Sequence, residues 1–243
     1  MTVQIKSDLA LRREINQLID VDKAKILARF FKTGKGEYGE GDLFLGIKVP
    51  QVRALAKRWS DASDVLVKEL LDSKYHEVRL LGVIILVTKY ERAKDEKQKK
   101  KVLDFYLKHR FSLNNWDLVD LSVYKIWGDY LLSHRDKRQE LFKFAHSKNL
   151  WERRMAIVAT MTLIKNNQFK EIFELTLILI NDKDDLIHKA LGWMLREVGK
   201  KNQRSLEDFL DKHAKHLART TLRYAIERFQ EGKRKYYLNT IKI

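Results

Sequence analysis

The chain has no cysteine and a single proline among its 243 residues. Without cysteine, disulfides, thiolate metal sites and thiol nucleophiles are all excluded. One proline leaves the backbone free to be helical almost throughout, because proline removes a helix donor and clashes with the preceding turn. Pro50 sits where a helix can begin, a position that tolerates it. Long apolar runs are missing as well. Lys or Arg interrupts every candidate before membrane-spanning length, and the N-terminus lacks the layout of a signal peptide, so a soluble cytosolic protein without a membrane partner is expected. The seven histidines are scattered, with His213 and His216 standing alone, and no zinc spacing such as H-E-x-x-H occurs. Neither a G-x-x-x-x-G-K-[ST] phosphate loop nor a G-x-S-x-G nucleophile elbow is present. No metal and no cofactor are expected.

Positive charge is abundant. There are 49 Lys and Arg against 33 Asp and Glu, a formal net charge of +16. Such an excess favours a polyanionic partner, because each phosphate neutralised releases condensed counterions. Nucleic acid is the expected partner.

Apolar residues recur at helical spacing, and no segment alternates strictly. The pattern predicts helices at roughly 8–32, 50–58, 61–71, 74–91, 96–109, 115–133, 135–146, 150–166, 168–181, 184–200, 203–213 and 217–231. Asn149 with Glu152 has the spacing of a capping box. An internal repeat lies beneath these elements. Arg79, Asp117, Arg154, Lys189 and Arg223 fall in one column, in steps of 34 to 38 residues. The next column reads Leu80, Leu118, Met155, Ala190, Tyr224, and the one after it Leu81, Val119, Ala156, Leu191, Ala225. Two helices per unit at this period mark a HEAT-like α-solenoid. The expected fold is all-α: a right-handed, curved solenoid with a basic concave groove. It is expected to form a single domain over 1–243 and to act as a monomer, with N-terminal helices at 1–72, repeats at about 73–231 and a short basic C-terminal tail.

The segment Gly34 to Asp42 holds four of the ten glycines and formally matches G-x-G-x-x-G. It is not a dinucleotide fingerprint. No strand precedes it, no βαβ unit surrounds it, and two glutamates would oppose a pyrophosphate. A flexible surface loop able to close over a groove is expected. The run Lys97 to Lys101 and the pair Arg234-Lys235 near the C-terminus both read as solvated helix faces.

One copy breaks the repeat. Asp117 stands in a column that is otherwise basic, and three residues on Asp120 replaces Gly82, Ile157, Gly192 or Ile226. At about 100° per residue the apolar columns centre near 170°, whereas Asp120 falls at about 300°, away from the core. Trp116, Arg153 and His188 share a column at about 260°, and Trp193 lies at about 40°. Trp116 and Asp120 are i and i+4 on one helix face. Asp117 also fits a helix-terminal role, where a carboxylate suits the macrodipole. Trp193 admits two readings, packing between repeats or contact with a ligand. Arg154 and Lys189 could contact phosphate or be solvated cations. An aspartate beside aromatic faces and cations suits a reaction that develops positive charge on a sugar within a polyanion. Glycosidic cleavage is such a reaction, and a base already cationic through alkylation leaves without a second acid.

Several segments together resemble the AlkD family of DNA alkylation repair proteins, HEAT-like-repeat DNA glycosylases. They are Phe44-Leu45-Gly46-Ile47 with Pro50 and Arg53, then Trp116-Asp117-Leu118-Val119-Asp120, Trp151-Glu152-Arg153-Arg154, and Lys189 through Glu197. The resemblance implies excision of cationic 3-methyladenine- and 7-methylguanine-type lesions from double-stranded DNA without metal or cofactor. Asp120 matches the family's catalytic aspartate, Trp116 and Trp193 its nucleotide-contacting tryptophans, and Arg154 its DNA-contacting arginine. Phe30 stands where the family has a tyrosine, keeping the ring without the hydroxyl, and Asn115 stands where an additional Trp can occur. Phe30, Lys189, Arg153 and Asp117 complete the expected DNA-binding set. The alternative is a non-catalytic HEAT-repeat protein that binds damaged or branched DNA.

Overall fold

The computed structural model describes residues 5–6 and 8–240. Residues 241–243 of the expected tail, with 1–4 and 7 of the N-terminal region, lie outside the described residues. Helices fill the chain as the proline scarcity requires. Among the described residues the only β pairing is an isolated parallel bridge between Leu43 and Tyr75. The chain divides into two compact units, Met1–Leu118 and Val119–Ile243, with the boundary inside the helix Trp116–Val123.

In the first unit the helix predicted at 8–32 is broken in two, Leu9–Gln17 and Val21–Phe30. Asp20 causes the break: its backbone is extended, and its carboxylate accepts from Lys23 N, capping the second helix. Pro50 enters at the start of Val49–Arg58, as expected. Ser63 caps Asp64–Leu71. Against both packs His76–Glu91, buried on nearly every face because its sequence is apolar nearly all round. Each fully buried Leu or Ile there contributes on the order of 2 kcal/mol.

Phe44-Leu45-Gly46-Ile47 has a structural explanation. Gly46 adopts φ +79°, and a Cβ there would sit 2.0 Å from Asp20 O. The backbone N–H groups of Leu45, Gly46 and Ile47 all donate to the buried Glu77 carboxylate, at 2.8–3.2 Å. The glycine-rich loop is built from hydrogen-bonded turns. Gly34 N donates to Glu37 Oε2 at 2.9 Å and Gly36 N to Glu40 Oε2 at 2.7 Å. The two glutamates that argue against a pyrophosphate are the loop's own acceptors.

The second unit shows the repeat. Leu150–Lys165, the buried centre, packs on Asp185–Lys201, which packs on Arg219–Ala225. The helices Gln139–Ala145, Lys170–Ile178 and Gln203–His213 precede and flank them. The two predicted apolar columns are buried except Tyr224, which is 37% exposed. Two further differences are local. The predicted helix 115–133 widens into a π-turn at Tyr124–Gly128, where Thr162 Oγ1 donates to Tyr124 O at 2.6 Å. The C-terminal segment read as a tail forms the helix Glu231–Thr240. Asn149 caps Leu150–Lys165 as expected, but Glu152 bonds the Ser147 hydroxyl instead of closing the box.

Candidate active site

Trp116 opens its helix, with its backbone N–H donating to Asn115 Oδ1 at 2.8 Å. Its indole stacks on Phe31 with centroids 5.4 Å apart, and Phe31 in turn stacks on Phe44 at 5.1 Å. Phe30 meets Phe31 and Trp116 edge-on, at 5.1 and 6.1 Å, and is itself 61% exposed. Tyr38 of the glycine-rich loop accepts from Trp116 Nε1 at 3.3 Å. Trp116 is therefore half-buried and fixed on one face by stacking and at its nitrogen by a hydroxyl. A tyrosine hydroxyl is present beside it after all, contributed by Tyr38 rather than by position 30.

Behind the aromatics lies a polar network that the repeat pattern did not reveal. His76 packs against the edge of the stacked Phe31–Phe44 pair, 4.8 Å from each ring centroid. Its Nε2 lies 2.8 Å from Asp117 Oδ2 and its Nδ1 3.3 Å from Asp42 Oδ2. Asp42 Oδ1 also accepts from Arg79 Nη2 at 2.6 Å and Asn114 Nδ2 at 3.0 Å, and Oδ2 from Asn115 Nδ2 at 3.3 Å. Burial alone would lower the His76 pKa, but the two carboxylates outweigh it and hold the pKa at about 9. Burial would raise Asp42, yet His76, Arg79 and Asn114 keep its pKa below the ordinary carboxylate value. Asp117 thus links the helix start to this network. Asn115, where a tryptophan can occur, serves the network with its side-chain amide.

In the second unit Asp120 is held by a guanidinium fork. Arg154 Nε donates to Oδ1 at 2.9 Å and Nη2 to Oδ2 at 2.7 Å, while Nη1 donates to Leu186 O at 2.6 Å. The carboxylate keeps 18% of its side-chain surface exposed and Arg154 only 6%. A side-on pair of this kind fixes the plane of the carboxylate as well as its position. Arg153, expected to face outward, is drawn inward. Its guanidinium pairs with Asp182 at 2.7 Å and Asp184 at 2.6 Å and donates to the Ser147 and Lys148 carbonyls. Lys189 pairs with Asp185 at 2.8 Å. Trp193 is half-buried on Asp185–Lys201, and His188 bonds Asp182 O at 2.6 Å.

The structure thus brings Phe30, Trp116 and Asp117 together in one unit, and Asp120 with Arg154 in the other. It sets Arg153 and Lys189 in ion pairs of their own. His76, Asp42 and Tyr38 were missed by sequence reasoning. The available signal was a histidine opening an otherwise apolar helix and an aspartate ending a glycine-rich loop.

The family model described as DNA alkylation repair enzyme matches residues 11–229, and the chain belongs to that family. Among solved structures, a predicted DNA alkylation repair enzyme from Enterococcus faecalis aligns with a TM-score of 0.68 at 17% identity, covering 88% of this chain and 97% of that one. At that identity the likeness concerns the fold. No curated protein matches the chain.

Proposed function

We propose that the chain is a monofunctional DNA glycosylase that hydrolyses the N-glycosidic bond of cationic alkylated purines in double-stranded DNA. The observation that carries this reading is the forked pairing of Asp120 with Arg154 in a member of the alkylation repair family. As the bond to a cationic base breaks, the sugar becomes oxocarbenium-like. A carboxylate of fixed orientation stabilises that charge and directs water at the anomeric carbon. The base departs neutral, so no second acid is needed. Arg154 acts through Asp120 and is a positioning residue, a different role from the phosphate contact that the resemblance implies. Trp116 and Trp193 hold the lesion-bearing nucleotide, and indole faces attract a cationic base by about 0.5–2 kcal/mol per contact. Exposed Phe30 offers a further stacking surface.

Free base released from methylated duplex DNA and resolved by chromatography tests this. Wild type is expected to release 3-methyladenine and 7-methylguanine well above the spontaneous rate, and Asp120→Asn to lose that release by about 10²-fold or more. Wild type at the spontaneous rate sinks the proposal. If duplex binding then persists, the non-catalytic DNA-binding reading replaces it.

A further inference from the structure

The basic column of the repeat divides in the structure. Arg79 and Arg154 are buried in ion pairs with Asp42 and Asp120. Lys189 and Arg223 instead line an open cavity of about 390 Å³, together with Thr220, Tyr224, Glu227 and Arg234. All of it lies in the second unit, between Asp185–Lys201, Arg219–Ala225 and the C-terminal helix. Arg223 is exposed, and among the described residues neither it nor Arg234 has a carboxylate partner. Arg234 Nε is moreover buried without any hydrogen-bond partner. The acids nearby are already engaged: Glu227 with Arg196 and Arg228, and Asp185 with Lys189 and Thr220. The cavity presents the guanidiniums of Arg223 and Arg234, the Lys189 ammonium already shared with Asp185, and the Tyr224 ring. Tyr224 is the single member of its apolar column that faces solvent.

We infer that this cavity is a phosphate-binding site and that its occupant is a phosphodiester group of the DNA backbone, gripped by Arg223 and Arg234 with Lys189 as a third cation. The forked geometry of arginine matches phosphate oxygens in pairs, whereas a solvated lysine face does not. The inference rests on the reading that the chain acts on DNA, but it does not need base excision to occur. The site supplies affinity and register, not chemistry.

Binding of an undamaged duplex, followed by fluorescence anisotropy across a salt series, tests it. Arg223→Gln with Arg234→Gln is expected to lower the magnitude of the slope of log K against log salt by about one to two, near 0.9 for each phosphate no longer neutralised. The double variant Lys94→Gln with Lys97→Gln removes the same charge from an exposed segment and is expected to leave the slope within about 0.3 of wild type. Circular dichroism checks helicity. Because Arg223 is exposed, its single variant keeps the measurement readable if the double variant unfolds. Equal slopes for the arginine and lysine variants, or no duplex binding by wild type at low salt, overturn the inference. Inorganic phosphate titrated alone separates the two sources of the ligand. If it binds wild type and not the arginine variant while the duplex slope is unchanged, the cavity takes a free phosphate and the diester assignment falls. If wild type releases no base but the slope falls as stated, the cavity stands and the glycosylase reading fails.

Discussion

Asp42 accepts hydrogen bonds from Arg79, Asn114 and Asn115 and faces His76, so one carboxylate ties the end of the glycine-rich loop to two helix starts. The charges facing His76 are Asp42, Asp117 and Arg79. Its pKa is raised from 6.5 to about 9, so its stabilisation is complete below 6.5 and fades as pH rises through about 9. Asp42, with a lowered pKa, gives the opposite limit: its contribution is present above the ordinary value of 3.8 and is lost as pH falls through its folded pKa. The network is therefore most stabilising between about pH 4 and pH 6.5. His76→Gln should destabilise the protein at pH 6 by on the order of 3 kcal/mol more than it does at pH 10, as read from urea unfolding. An equal loss at both pH values would show that His76 acts by packing alone.

At the scale of elements, most helices are legible because burial follows a 3.6-residue period, and the repeat register alone identifies both buried columns. The departures share a cause: groups whose partners are distant in sequence. Asp20 breaks a predicted helix by capping the next one, and its backbone N–H is taken by Leu45 O at 2.9 Å, a distant segment that Gly46 lets approach. The π-turn carries its own signal in neither composition nor period. Arg153 reads as outward from its angle, but Asp182 and Asp184, about 30 residues on, draw it inward. The candidate site divides the same way. Asp120 and Trp116 stand out as breaks in a pattern, whereas His76 and Asp42 break none. Glycine in the Asp185–Lys201 helix carries a testable consequence. A Cβ at Gly192 would lie 2.5 Å from Tyr224 Cβ and 2.6 Å from Thr221 O. Gly192→Val should cost about 1–3 kcal/mol by pushing Arg219–Ala225 away, visible as a lower Tm. An unchanged Tm would mean that the two helices separate freely.

For the whole molecule, a net charge of +16 survives a large amount of internal pairing. Many lysines sit in exposed i,i+3 or i,i+4 pairs, such as Lys25 with Asp22 and Lys100 with Asp104. Those pairs add only about 0.3–0.5 kcal/mol each, so the excess acts mainly as a field that draws in polyanions. The family match runs through both units. Among the described residues no cluster of three or more His, Asp or Glu could hold a metal ion. The proposed hydrolysis draws on no metal, so base release should be the same after dialysis against EDTA, and recovery only on adding back a divalent cation would contradict the proposed chemistry.

The turn at Leu45-Gly46-Ile47 bears on that field as well. Three successive amides aimed at one point form a concave donor set of the sort that captures phosphate. Here Glu77 fills it from within, as a built-in counter-ion. These three amides are thereby already satisfied from within, so a phosphate group meets no open donor set at this turn.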